Sequence, residues 1–183
     1  REGRYEESIK VYDGLVAELP EEPAEDAWRF FVARAAARLE LDQWEKAEPD
    51  LVRAVEIAPK EAVALNYLGY SWAERGENLD RAFELIEQAV ALEPNSGAYI
   101  DSLGWAYFQR DDFQNAVGHL EHAATLEPAD PTITDHLGDV YWRLGRKIEA
   151  KYQWERVLEL DPSNKLRDSI EKKLEEGLPE LSE

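Results

Sequence analysis

The 183 residues carry 40 Asp and Glu against 21 Lys and Arg, a formal net charge of −19. Such a surface repels a phosphate backbone and excludes nucleic acid as a partner class, while a basic protein segment suits it. Cysteine is absent, which excludes disulfides, thiolate metal sites and a cysteine nucleophile, and no apolar run approaches the ~20 residues of a transmembrane helix.

Residues 1–23 read as one helix containing Gly3, Tyr5, Tyr12 and Leu15, stopped near Pro20. From residue 28 onward the chain repeats itself. Segment 28–61 carries Trp44, Ala47, Leu51, Ala54 and Pro59, with Arg34-Ala35 where later segments have Leu-Gly. Segment 62–96 carries Leu68, Gly69, Trp72, Gly76, Ala82, Ala89 and Pro94, with one extra residue near Asn78-Leu79. Segment 97–130 carries Leu103, Gly104, Tyr107, Phe113, Ala116, Leu120, Ala123 and Pro128. Segment 131–164 carries Leu137, Gly138, Tyr141, Gly145, Ala150, Trp154 and Pro162, with Val157 in an alanine slot. The glycines Gly69, Gly104 and Gly138 are spaced by 35 and 34, and the alanines Ala47, Ala82, Ala116 and Ala150 by 35, 34 and 34. The prolines Pro59, Pro94, Pro128 and Pro162 keep the same spacings as the alanines. Three markers in step identify an internal repeat of two helices per period.

Within each period the first helix contains the Leu-Gly pair and the second ends at the proline, which lacks an amide hydrogen and cannot continue a helix. Ala82, Phe83, Leu85, Ile86, Ala89 and Val90 recur at helical spacing, and no alternating β-branched window competes. Asp130-Pro131 reads as an N-cap followed by proline in the first turn. Glycine inside a helix costs about 1 kcal/mol relative to alanine. Its recurrence therefore points to a close crossing, with Gly69, Gly104 and Gly138 facing Ala82, Ala116 and Ala150. Leu68, Leu103 and Leu137 are the expected knobs on the first helices, and Phe83, Leu120 and Trp154 on the second. Residues 165–176 place Leu166, Ile170 and Leu174 on one face, as a capping helix should. The tail 177–183 is expected to fray.

These residues resemble the tetratricopeptide repeat, whose 34-residue pattern is a large residue, Leu-Gly, an aromatic, Ala, a large residue, Ala and Pro. The resemblance implies an all-α, right-handed solenoid of helix-turn-helix units. The units would be 28–61, 62–96 with its one-residue insertion, 97–130 and 131–164, with 1–23 as the second helix of a truncated repeat. A half repeat at the start, with no methionine even at position 1, leads us to expect a piece of a longer protein whose signal peptide or lipid anchor, if it has one, lies outside this stretch. Leu65-Asn66-Tyr67-Leu68-Gly69-Tyr70, Asp101-Ser102-Leu103-Gly104-Trp105 and His136-Leu137-Gly138-Asp139 further resemble a group of proteobacterial tetratricopeptide proteins. That group includes outer-membrane lipoproteins that are adaptors of a periplasmic carboxyl-terminal processing protease. The resemblance favours a periplasmic or outer-membrane-associated location, with the cytoplasm as the alternative.

In this family the first helices line a concave groove. The register places Asn66, Tyr67, Tyr70 and Glu74 there from the 62–96 unit, and Asp101, Ser102, Trp105, Phe108 and Gln109 from the next. Asp135, His136, Asp139, Trp142 and Arg143 complete the set. Asn66, Asp101 and Asp135 form a polar column, and Tyr70, Trp105, Phe108 and Trp142 either anchor a guest or pack between repeats or against a C-terminal element. The expected function is a non-catalytic scaffold or adaptor that binds a protein or peptide, basic rather than acidic, and delivers it to a protease or an assembly. Self-association through the repeats is the alternative. No cofactor is expected. His119 and His122, three apart, lack a third ligand at matching spacing, so no metal is expected. Asp101, Ser102 and His136 include acid–base residue types but no accompanying oxyanion element, so no catalysis is expected.

Overall fold

The computed structural model describes residues 2–181; position 1 and the last two residues of the 177–183 segment lie outside the described residues. The chain forms α1 (Glu2–Ala17), a 3₁₀ turn (Glu25–Ala27), α2 (Trp28–Leu39), α3 (Trp44–Ile57), α4 (Ala62–Arg75) and α5 (Leu79–Leu92). There follow α6 (Gly97–Phe108), α7 (Phe113–Leu126), α8 (Pro131–Arg143), α9 (Lys147–Glu159) and α10 (Asn164–Glu176). There is no strand among the described residues. The helices pair as α2 with α3, α4 with α5, α6 with α7 and α8 with α9, and consecutive first helices α4, α6 and α8 also touch. The result is an α-solenoid, in which each pair buries its apolar face against its neighbours.

One turn is used four times. Asp42, Gly76, Asp111 and Gly145 all have φ between 53° and 78°, at spacings of 34, 35 and 34. In each turn the residue after the left-handed one donates its N–H five residues back into the first helix: Gln43 to Arg38, Glu77 to Trp72, Asp112 to Tyr107 and Arg146 to Tyr141. This is the hydrogen-bond pattern of a helix closed by a left-handed residue, which glycine adopts freely and Asp tolerates. The 62–96 segment has a second left-handed residue, Asn78 with φ 45°, which absorbs its extra position. Second helices end at Ala58, Glu93 and Glu127, each with φ near −130°, just ahead of Pro59, Pro94 and Pro128. Side chains of Ser96, Asp112, Asp130 and Ser163 cap the helices that follow them.

The glycine slots are close crossings. A Cβ on Gly69 would lie 2.7 Å from Ile86 and 2.9 Å from the Ala82 carbonyl. On Gly104 it would lie 2.7 Å from Leu120, and on Gly138 2.5 Å from Trp154. The knob beside Gly69 is therefore Ile86, in register with Leu120 and Trp154, and not Phe83. Phe83 sits on the rim of its helix, edge-on to Tyr107 at 4.8 Å. Ala47, Ala82, Ala116, Ala150, Leu120 and Trp154 are completely buried.

In the first pair the Leu-Gly slot holds Arg34, and its junction is ionic. Arg34 and Arg38 both bond Asp50 of α3, at 2.6 Å each, and both reach Asp13 of α1. Asp50 stands where α5 has Leu85, so a charge pair replaces two leucines, Leu68 and Leu85, that are buried in one cluster in the next unit.

Candidate functional site

The inner face divides into an open and a covered part. In the open part α4 and α6, with the end of α2 and the start of α8, bound a cleft of about 510 Å³. Of the residues placed in the groove from sequence, Asn66, Tyr67, Tyr70, Glu74, Asp101 and Ser102 line this cleft. Glu40 and Asp130 line it too, and no Lys or Arg among the described residues does. A second hollow shares Glu40 and Tyr67 and continues the cleft between α1 and α2. Burial, with the charges of Glu74, Asp101, Asp135 and Asp130, raises the Tyr70 hydroxyl above its ordinary pKa. Burial, Glu40 and Glu74 do the same at Tyr67. Both phenols are therefore neutral donors in a strongly negative field.

Residues that the register alone places on an open wall are buried in the covered part and, at Asp101 and Ser102, where it borders the cleft. Asp101, Ser102, Asp135, His136 and Asp139 are each at most 7% exposed, because consecutive first helices pack against each other and α10 packs beside α8. His136 Nδ1 lies 2.9 and 3.0 Å from the two Asp101 oxygens, and its ring stacks under Trp105 at 4.0 Å. Trp105 in turn stacks on Phe108 at 4.6 Å, so these two aromatics pack between repeats. Lys173 of α10 reaches Asp135 at 2.6 Å and Asp139 at 2.8 Å. Asp139 also accepts from Trp154 Nε1 at 3.0 Å. Burial opposes the His136 imidazolium, but Asp101, Asp135 and Asp139 together outweigh it and raise its pKa above the ordinary histidine value. Burial and the neighbouring Asp135 push the Asp139 carboxyl up to about 6, against the pull of Lys173 and His136.

Where the tail is expected to fray, residues 177–179 lie against the last unit. Gly177, at φ 75°, is packed so closely on Trp142 that a Cβ would meet the ring, and Pro179 O accepts from Arg143 at 2.6 Å. Leu178 packs into the cluster around Trp154 and Ile170. Lys147 Nζ lies over the Trp142 ring, 3.6 Å from its centroid. Trp142 and Arg143 are thus turned toward the chain's own C-terminal segment, and Gln109 is half-buried at the end of α6. The Ser102 hydroxyl donates to Ala98 O at 2.9 Å, so the Asp101, Ser102 and His136 set forms no nucleophile relay. Lys173 had a sequence signal: it falls seven residues after Leu166, on the apolar stripe of α10 and not on its wet side. Glu40 had one too, standing one 34-residue period before Glu74, whereas Asp130, the N-cap of α8, lies outside the first-helix register.

Residues 102–165 match the model of the tetratricopeptide repeat family. A TPR repeat-containing protein of Pseudomonas aeruginosa is 36% identical over 105 residues, which is 57% of this chain and 17% of that protein. The chain thus matches about a sixth of that relative's length. Among solved structures, a thermophilic TPR protein of Thermus thermophilus superposes with a TM-score of 0.74 at 22% identity, covering 94% of this chain and 91% of that one. The first TPR domain of Spaghetti (RPAP3), solved bound to the HSP90 peptide SRMEEVD, superposes with a TM-score of 0.53 at 24% identity, covering 61% of this chain and 88% of that one. With the period, the glycine crossings and the four repeated turns already in place, residues 102–165 match the tetratricopeptide-repeat family and the chain resembles the tetratricopeptide proteins of proteobacteria.

Proposed function

We propose that this protein is a non-catalytic scaffold that holds a segment of another protein in the α4–α6 cleft and presents it to an enzyme or an assembly. The observation that carries the reading is the cleft itself: an open, first-helix-lined hollow with two half-buried tyrosines at its wall, of a size for several residues of a guest. The repeat units that build it are taken as 28–61, 62–96, 97–130 and 131–164, capped by 165–176. The Spaghetti domain shows the fold holding a peptide. Its peptide, SRMEEVD, is acidic, and the cleft here carries Glu40, Glu74, Asp101 and Asp130, so a guest of opposite charge fits this chain better. Delivery to a periplasmic processing protease is what the resemblance to the proteobacterial adaptors implies.

Self-association has an observation of its own. Val11 and Leu15 of α1 are 61% and 39% exposed, whereas Leu85 and Ala89, which precede Pro94 by the same intervals as these precede Pro20, are at most 1% exposed. One experiment separates the two readings. A photo-crosslinking amino acid is placed at Tyr67, at Val11 and at the outward-facing Tyr152 in the native host. Adducts with a different protein from position 67 and none from 152 are expected. Adducts of the chain with itself from position 11, and none from 67, would replace the scaffold reading with self-assembly.

A further inference from the structure

The inner face has a column of equivalent positions, Asn66 on α4, Asp101 on α6 and Asp135 on α8, spaced by 35 and 34 residues. Two of the three acceptors are answered by a nitrogen donor from the next inner helix. Asp101 receives His136 of α8 at 2.9 Å, and Asp135 receives Lys173 of α10 at 2.6 Å. For Asn66 the next inner helix offers Ser102, whose hydroxyl is already given to Ala98 O. Asn66 Oδ1 is buried and has no hydrogen-bond partner, in a cleft that Glu40, Glu74 and Asp130 line with no Lys or Arg among the described residues. A buried acceptor left unmade costs more than a bond to it would return.

We infer that the cleft is a subsite for one basic side chain, lysine or arginine, of the guest protein, which donates to Asn66 Oδ1 while Glu40 and Glu74 balance its charge. The inference rests on the scaffold reading and sharpens it by naming what anchors the guest. Lys173 is the chain's own example of such an occupant, two repeats further along. A charge-assisted bond to a fixed acceptor in a negative hollow selects a cation and rejects a carboxylate. Tyr67 and Tyr70 supply apolar wall for the methylene stem, which leaves only the charged head to be satisfied.

The test is retention of a blocked octapeptide library on the immobilised chain at 150 mM salt (about the physiological ionic strength). Each pool has one central position fixed as lysine, arginine, norleucine or glutamate. The lysine and arginine pools are expected to be retained about tenfold or more above the norleucine and glutamate pools. That preference should vanish in Asn66→Leu and weaken in Glu40→Gln/Glu74→Gln, and persist in Glu87→Gln, which removes an acid from the outer face. Thermal melts establish that each variant is folded. Equal retention of all pools, with loss on Tyr67→Ala, would overturn the cation subsite and leave the scaffold reading standing. A preference that survives Asn66→Leu would likewise overturn it, assigning the selectivity to general surface charge. Retention of no pool above the level of Tyr67→Ala would overturn both.

Discussion

The two parts of the inner face are built from the same helix register and behave in opposite ways. Around α4 and α6 the polar column opens into a cleft in which Glu40, Glu74 and the Asn66 oxygen meet no Lys or Arg among the described residues. Around α8 the same column is sealed: Asp135 and Asp139 are closed over by Lys173, and Trp142 by Gly177. The fold positions a row of acceptors, and the neighbour across from each one decides whether it becomes core or binding surface. A solenoid thus makes a site where the next helix withholds a donor.

The largest effect is expected from removing the donor that seals the covered part. Lys173→Met keeps the stem and deletes the charge, leaving Asp135 and Asp139 buried side by side. Stranding buried charges costs several kcal/mol, and we expect a loss of about 3 kcal/mol at pH 8 in denaturant unfolding. Hydrogen exchange should rise in α10 and leave α4 unchanged. Adding Asp139→Asn should restore much of the loss. A loss below about 1 kcal/mol, within the range of an exposed pair, would show that Lys173 is not what separates the two parts.

Acidification gives the next largest effect, with a sign opposite to ordinary acid denaturation. Asp139 has a pKa of about 6 against a usual 3.8, and His136 lies above its usual 6.5. Both groups hold a proton more tightly in the folded chain. The His136 contribution is complete below its unfolded value and is lost as pH rises through its folded one. The Asp139 ionisation penalty likewise grows as pH rises between the two Asp139 values. Stability should therefore increase on going from pH 8 to pH 5. His136 faces Asp101, Asp135 and Asp139, with Tyr70 and Trp105 over its ring and Lys173 beyond the two aspartates. Relief of the net charge of −19 acts in the same direction, so the decisive measurement is a difference. His136→Gln should flatten the part of the slope above pH 6.5. Parallel curves for the two proteins would remove the imidazole from the account.

Much of this organisation could be read before any coordinates. The glycine, alanine and proline markers fixed the helix pairing, because close crossings and helix stops are local demands on single residue types. The left-handed turns were half legible: Gly76 and Gly145 announced themselves, whereas Asp42 and Asp111 occupy the same conformation with a residue that also serves as a cap. Ile86, not Phe83, fills the crossing at Gly69, which the shared spacing of Ile86, Leu120 and Trp154 would have indicated. The covered status of Asp135, His136 and Asp139 was not legible from the first-helix register. Register gives the direction of a side chain and not what stands opposite, and only the approach of α10 places Lys173 there.

The smallest effect is expected at the far boundary of the open part, where α2 meets α3 through charge. Arg34 and Asp50 occupy the slots that Leu68 and Leu85 fill in the next unit, so a departure from leucine at one slot is matched by a departure at the other. Arg34 and Asp50 are 12% and 5% exposed at their side chains, deep enough that desolvation offsets most of the Coulomb gain. The double replacement Arg34→Leu/Asp50→Leu should therefore leave stability within about 1 kcal/mol of the parent, with Arg38 still tied to Asp13 and to Lys46 O. Asp50→Leu alone leaves two guanidinium groups to share the half-exposed Asp13 and should cost distinctly more. If the double variant is as damaged as the single one, the ionic junction is not exchangeable with the apolar one. The α2 wall, which carries Leu39 and Glu40 into the cleft, would then owe its position to that charge network and not to the packing plan shared by the other pairs.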